Sequence, residues 1–69
     1  MNDYIIQAWG CTSSGRGFHR DEHVNNETLA NAERIMSERR ASCKDGSITH
    51  FNLLLKGERG LSFINTITV

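Results

Sequence analysis

The sequence predicts an α+β fold, with one helix packed on a three- or four-stranded, mostly antiparallel sheet in the order β-β-α-β-β. Two observations carry this. Residues 26–40, NETLANAERIMSERR, combine a helix start signal with apolar residues at helical spacing. The segments on either side are rich in β-branched and aromatic residues or alternate with period two, as strands do. At 69 residues the chain makes a single small domain, 1–69, and its core must be thin.

The first strand is Tyr4-Ile5-Ile6-Gln7-Ala8-Trp9. Tyr4, Ile6 and Ala8 share one face, Ile5 and Trp9 the other, and apolar residues on both faces suit a central strand. The run Gly10-Cys11-Thr12-Ser13-Ser14-Gly15-Arg16-Gly17 is turn material. Residues 18–24 then read as a short edge strand with Phe18, Arg20, Glu22 and Val24 on one side, paired to the first strand as a hairpin.

Asn25 or Asn26 is the expected helix cap, since a short side-chain carbonyl accepts the first free backbone N–H groups. Glu27 then falls in the first turn, at the positive end of the dipole. Leu29, Ala32, Ile35 and Met36 form the expected buried face, and Arg39 and Arg40 sit near the C-terminal end. Asp45-Gly46 ends the connection.

Residues 48–56 alternate, with Thr49, Phe51, Leu53 and Leu55 expected toward the helix and Ile48, His50, Asn52, Leu54 and Lys56 away from it. Gly57-Glu58-Arg59-Gly60 is a hairpin turn. In the last strand, Leu61, Phe63, Ile67 and Val69 are expected on the core face. Asn65 interrupts that face, which allows a bulge there.

The chain carries eight basic and eight acidic residues and no net charge. Residues 1–33 hold five acids against two arginines, net −3; residues 34–69 hold six bases against three acids, net +3. A dipolar molecule can steer toward a charged partner even at zero net charge, although acids near a helix start and bases near its end also serve the helix itself. No apolar run reaches the roughly 20 residues of a membrane span, and the first residues lack the pattern of a secretion signal. A soluble, intracellular protein is expected.

Cys11, His19, His23 and Cys43 are zinc-ligating types. They form no Cys-x-x-Cys pair, and on a strand His19 and His23 share a face but lie too far apart for one small ion. Ordinary small cysteines and exposed histidines are the reading taken, with no cofactor or metal expected; whether the two cysteines pair is left open. Gly15-Arg16-Gly17 lacks the Gly-Lys-Ser/Thr end of a phosphate loop and reads as a hairpin tip. Ser13, Ser14 and Cys11 precede His19 and His23 without any nucleophile elbow. No enzyme is expected.

The residues expected to contact a partner are Arg16 and Arg20 on the hairpin, with Arg34, Arg39, Arg40 and Lys44 at the helix end. Arg34 and Glu38 are one turn apart and are expected to pair. A solvated basic end accounts for such residues without any partner. The functional alternative is a docking patch for an acidic protein surface or a nucleic-acid backbone.

Tyr4-Ile5-Ile6, a polar loop, then Glu27-Thr28-Leu29-x-x-Ala32-x-Arg34-Ile35-x-Ser37 resembles small phage-encoded inhibitors, in particular the ninth family of type I-F anti-CRISPR proteins. The resemblance covers about the first two thirds of the chain. It implies a protein that binds the crRNA-guided surveillance complex, a CRISPR ribonucleoprotein, and blocks target DNA through basic residues around the helix. Arg34 falls on a basic family position. Glu33 stands where that family carries lysine, and the stretch after Gly60 shows no family motif. The expectation is a phage or mobile-element protein that inhibits a host defence complex. The alternatives are a nucleic-acid-binding accessory protein and a homodimer joined through a strand edge.

Overall fold

A computed structural model describes all 69 residues. The order is β1 (Asn2–Cys11), β2 (Gly17–Glu27), α1 (Leu29–Ser42), β3 (Ile48–Gly57) and β4 (Gly60–Thr68). The four strands form one antiparallel sheet in the order β2-β1-β3-β4, with the helix across one face. β1, apolar on both faces, is central; β2 and β4 are the edges. The molecule is a slab measuring 38 × 26 × 15 Å. Its thickness is that of one sheet and one helix, so the far face of the sheet has no covering layer.

The core lies between helix and sheet. Tyr4 and Ile6 of β1, Val24 of β2, Ala32 and Met36 of α1, and Ile48, Phe51 and Leu53 of β3 form one buried cluster. Met36 and Leu53 are the largest fully enclosed side chains. Burying each is worth about 1.5–3 kcal/mol. Ile35 packs partly against the cluster.

The helix starts later than the composition suggests. Thr28 is its cap, with Oγ1 accepting from the Asn31 N–H at 3.2 Å. Asn25 and Asn26 instead belong to β2. Asn26 takes a left-handed φ of 57°, and its N–H donates to Asp3 Oδ1 at 2.8 Å. Pairing with Asn2 therefore carries β2 on to Glu27. Glu27 ends that strand rather than opening the helix; its carboxylate accepts from the Asn31 side chain at 2.6 Å, and the first helical turn holds no acid. Leu29, as the first helical residue, overhangs the core and is 43% exposed. At the other end the Cys43 N–H donates to the Arg40 carbonyl, so Lys44 lies past the helix.

Two register shifts change which side chains face the helix. Trp9 pairs with His50 and Gly10 with Ile48, leaving Thr49 without a partner on β1. Ile48 thereby enters the core in place of Thr49. On β4, Asn65 pairs with Leu53 but Phe63 pairs with Leu54, so Ile64 is the unpaired residue. Leu61 and Phe63 are thus turned to the uncovered face, 54% and 61% exposed, while Ile64 and Ile67 pack on the core. Val69 is also exposed. The irregularity sits one residue before Asn65.

Gly10 marks the closest backbone approach. A Cβ there would lie 2.4 Å from the Ser47 carbonyl oxygen, which accepts from the Cys11 N–H. This bond holds the start of β3 against the end of β1.

Candidate functional site

At one end of the slab, β1 and β4 finish, β2 and β3 begin, and the helix terminates. Five of the six predicted contact residues lie toward this end, spread across its width: Arg16 in the β1–β2 loop, Arg20 on β2, Arg39 and Arg40 in the last helical turn, and Lys44 just after it. Arg34 stands back along the helix, its guanidinium on Glu38 at 2.7 Å and on Asn31.

Some of this positive charge is matched. Arg39 makes a two-pronged bond to Glu22, with both N–H···O distances at 2.8 Å, tying the helix to β2. That contact holds the Glu22 carboxyl below its ordinary range and raises the Arg39 guanidinium. Arg20 reaches Asp45 at 3.3 Å. The Asp45 carboxyl is held low first by the Ser47 hydroxyl and then by the Ser47 backbone N–H, with Arg20 contributing less. Arg40 donates through Nε to the Thr68 carbonyl at 3.1 Å, which leaves its charge without a counterion. Arg16 and Lys44 make no ion pair. The uncompensated cations at this end are therefore Arg16, Arg40 and Lys44.

Two open clefts flank the helix terminus. One, of about 240 Å³, has Ile6, Ala8 and Phe51 among its apolar lining and Arg20, Glu22 and Arg39 among its polar lining. The other, of about 510 Å³, is lined by Ser37, Arg40, Thr66, Ile67 and Thr68. No histidine lines either cleft, and the second holds no carboxylate. Neither offers its hydroxyl or thiol the imidazole partner of a nucleophile–base pair.

The Gly15-Arg16-Gly17 segment is a hairpin tip. Thr12 closes it, with its N–H donating to the Arg16 carbonyl at 2.8 Å and its hydroxyl accepting from the Arg16 N–H at 3.1 Å. Cys11 and Cys43 are free thiols. No three metal-ligating side chains converge anywhere in the molecule.

The uncovered sheet face holds a group that strand-by-strand reading misses. His19, Trp9 and His50 stand side by side on β2, β1 and β3. The Trp9 ring stacks on His19 at 4.4 Å and lies parallel to His50 at 6.3 Å. Gln7 accepts from the indole N–H at 2.9 Å. His23, Ile5, Leu54 and Phe63 form a second row, and Lys56 Nζ reaches His23 Nδ1 at 3.0 Å across β1. Ile5 is buried by this face alone, outside the main core. The available signal was the placement of Trp9 with Ile5 opposite Ile6. Residues 9, 19 and 50 become neighbours only once the strand order is known. The flanking histidines occupy the neighbourhood of the indole faces, so the row acts as a cross-strand ladder that stiffens the sheet.

No helix is long and apolar enough to cross a membrane. A scan against protein-family models finds no match, and searches of curated proteins and of solved structures find none at a significant level.

Proposed function

We propose that this chain is a binding protein, acting without covalent chemistry, that docks on an anionic macromolecular surface through the basic end. The observation that carries the reading is the placement of Arg16, Arg20, Arg39, Arg40 and Lys44 toward one end of the slab, three of them without a counterion. Exposed cations cost little to leave in water and gain most when a partner supplies the missing negative charge. The Arg39–Glu22 and Arg20–Asp45 pairs set the shape of this end, and Arg16, Arg40 and Lys44 supply its unspent charge.

The finer reading is an inhibitor of a host defence complex from a phage or mobile element. Its partner is a crRNA-guided surveillance complex, whose pairing with target DNA it blocks. The resemblance in Tyr4-Ile5-Ile6 and in 27–37 supports this, as does a strand-strand-helix arrangement that leaves the basic helix end exposed. A protein partner also fits zero net charge better than unassisted binding to DNA, which normally draws on a strongly basic domain.

Retention of the purified chain on an immobilised type I-F surveillance complex tests the finer reading. Stoichiometric retention that falls as salt rises is expected. No retention at low salt removes that partner. The broader reading is tested by binding to acidic polymers and duplex DNA, where a response to salt but none to reversing Arg16 and Lys44 would contradict it.

A further inference from the structure

We propose that a second copy of this chain pairs with the first along the 60–64 half of β4, making a two-fold dimer with a continuous eight-stranded sheet.

The two edges of the sheet differ in a way that bears on association. β2 carries His19, Arg20, Asp21, Glu22 and His23 in succession, the charged kind of edge that discourages strand addition. β4, GLSFINTIT, has no ionisable residue and no proline. Antiparallel self-pairing of β4 therefore sets no like charges against each other.

The far half of this edge is already partly occupied. The Val69 N–H donates to the Thr49 carbonyl, so the alternation of an antiparallel ladder turns the backbone groups of Thr68 and Thr66 away from β3. Arg40 takes the Thr68 carbonyl, and the Asn65 side chain takes the Thr66 N–H at 2.9 Å. The half next to the hairpin has no such side-chain cap. There the same alternation, counted from the Gly57–Gly60 pair that closes the turn, turns Leu61 and Phe63 outward.

A two-fold axis at Ser62 sets Leu61 opposite Phe63 of the second copy, and Phe63 opposite its Leu61. Both side chains lie on the uncovered face, more than half exposed, beside Leu54. Pairing extends each Ile5–Leu54–Phe63 row by Leu61 of the second copy, whose Lys56 follows next, and shields the two most exposed apolar side chains of β4. Ser62 then meets itself at a non-hydrogen-bonded position, where side chains approach most closely. The seam lies at the opposite end of β4 from Arg40 and Thr68, so both basic ends stay free. The proposal does not depend on the function assigned to that end.

The seam is short, which places it among weak, concentration-dependent interfaces. Sedimentation from about 10 µM to about 1 mM spans that regime. The expected mass rises from the 7.8 kDa of one chain to twice that value. Leu61→Lys and Phe63→Lys, at exposed positions, should each weaken association about tenfold or more with an unchanged circular dichroism spectrum. In a background with Cys11→Ser and Cys43→Ser, Ser62→Cys should form a covalent dimer under mild oxidation well ahead of Thr66→Cys. A single-chain mass at every concentration overturns the proposal. So does a dimer indifferent to both lysine variants, or equal cross-linking at 62 and 66.

Discussion

Glu22 and Arg39 show how one contact can serve both shape and charge. Their two-pronged bond joins the last helical turn to β2, yet both side chains are over two fifths exposed, so solvent screening keeps its worth below about 1 kcal/mol. The carboxyl is depressed in the folded chain from an ordinary value of 4.5. Its contribution is therefore fully present above that value and is lost as pH falls through the lower folded one. An acid titration of stability should show a shallow decline beginning near pH 4.5 that is reduced in Glu22→Gln. Asp45 adds a similar decline from its ordinary value of 3.8 downward. Gly10 constrains the chain more sharply. Gly10→Ala forces a methyl against the Ser47 carbonyl and should lower unfolding free energy by about 1–3 kcal/mol in denaturant titration.

At the scale of the elements, the helix cap and the two register shifts decide what faces where. Thr28→Ala should cost about 1 kcal/mol, measured by thermal or denaturant unfolding, whereas Asn25→Ala should cost far less. The reverse result would return the cap to the asparagines. Met36→Ala, which opens a void between α1 and β3, should cost about 2–5 kcal/mol.

These elements also mark how far the sequence could be read. The helix, the central place of β1 and both hairpins follow from local pattern, because periodicity and turn chemistry are local properties. The end of β2 does not, because it depends on Asn2 and Asp3 supplying partners from the other strand. The faces of Ile48, Leu61 and Phe63 do not either: one unpaired residue reverses period-two alternation, nothing in Thr49 announces it, and on β4 the polar Asn65 hints at a bulge that falls at Ile64. For the site, Arg39, Arg40 and Lys44 were legible as a group by proximity in the chain. Glu22 and Asp45, which neutralise two of the arginines, became visible only through strand pairing.

At the scale of the whole molecule, a slab with one helix leaves three surfaces with different characters. The helix side carries the core and the clefts. The uncovered sheet face carries the His19–Trp9–His50 row and the apolar row ending at Phe63. The end of the slab carries the uncompensated cations. The last groups three exposed cations without ion partners, against Lys56 and Arg59 beside Glu58 at the opposite end, which makes it the docking surface in this account. The folded shape also explains why the −3 and +3 halves of the chain do not give two oppositely charged ends. Arg20 crosses to Asp45 and Arg39 to Glu22, mixing the halves and leaving a smaller, localised excess.

The most direct measurement is a competition experiment, in which the wild-type chain and an Arg16→Glu, Arg40→Glu, Lys44→Glu variant are titrated into a type I-F surveillance complex binding its target duplex. The account predicts that the wild-type chain displaces the duplex near stoichiometric amounts and that the folded variant fails to do so over at least a tenfold excess, roughly the loss of 1.4 kcal/mol or more. Equal displacement by both proteins would contradict the assignment of docking to the basic end, and displacement by neither would contradict the choice of partner.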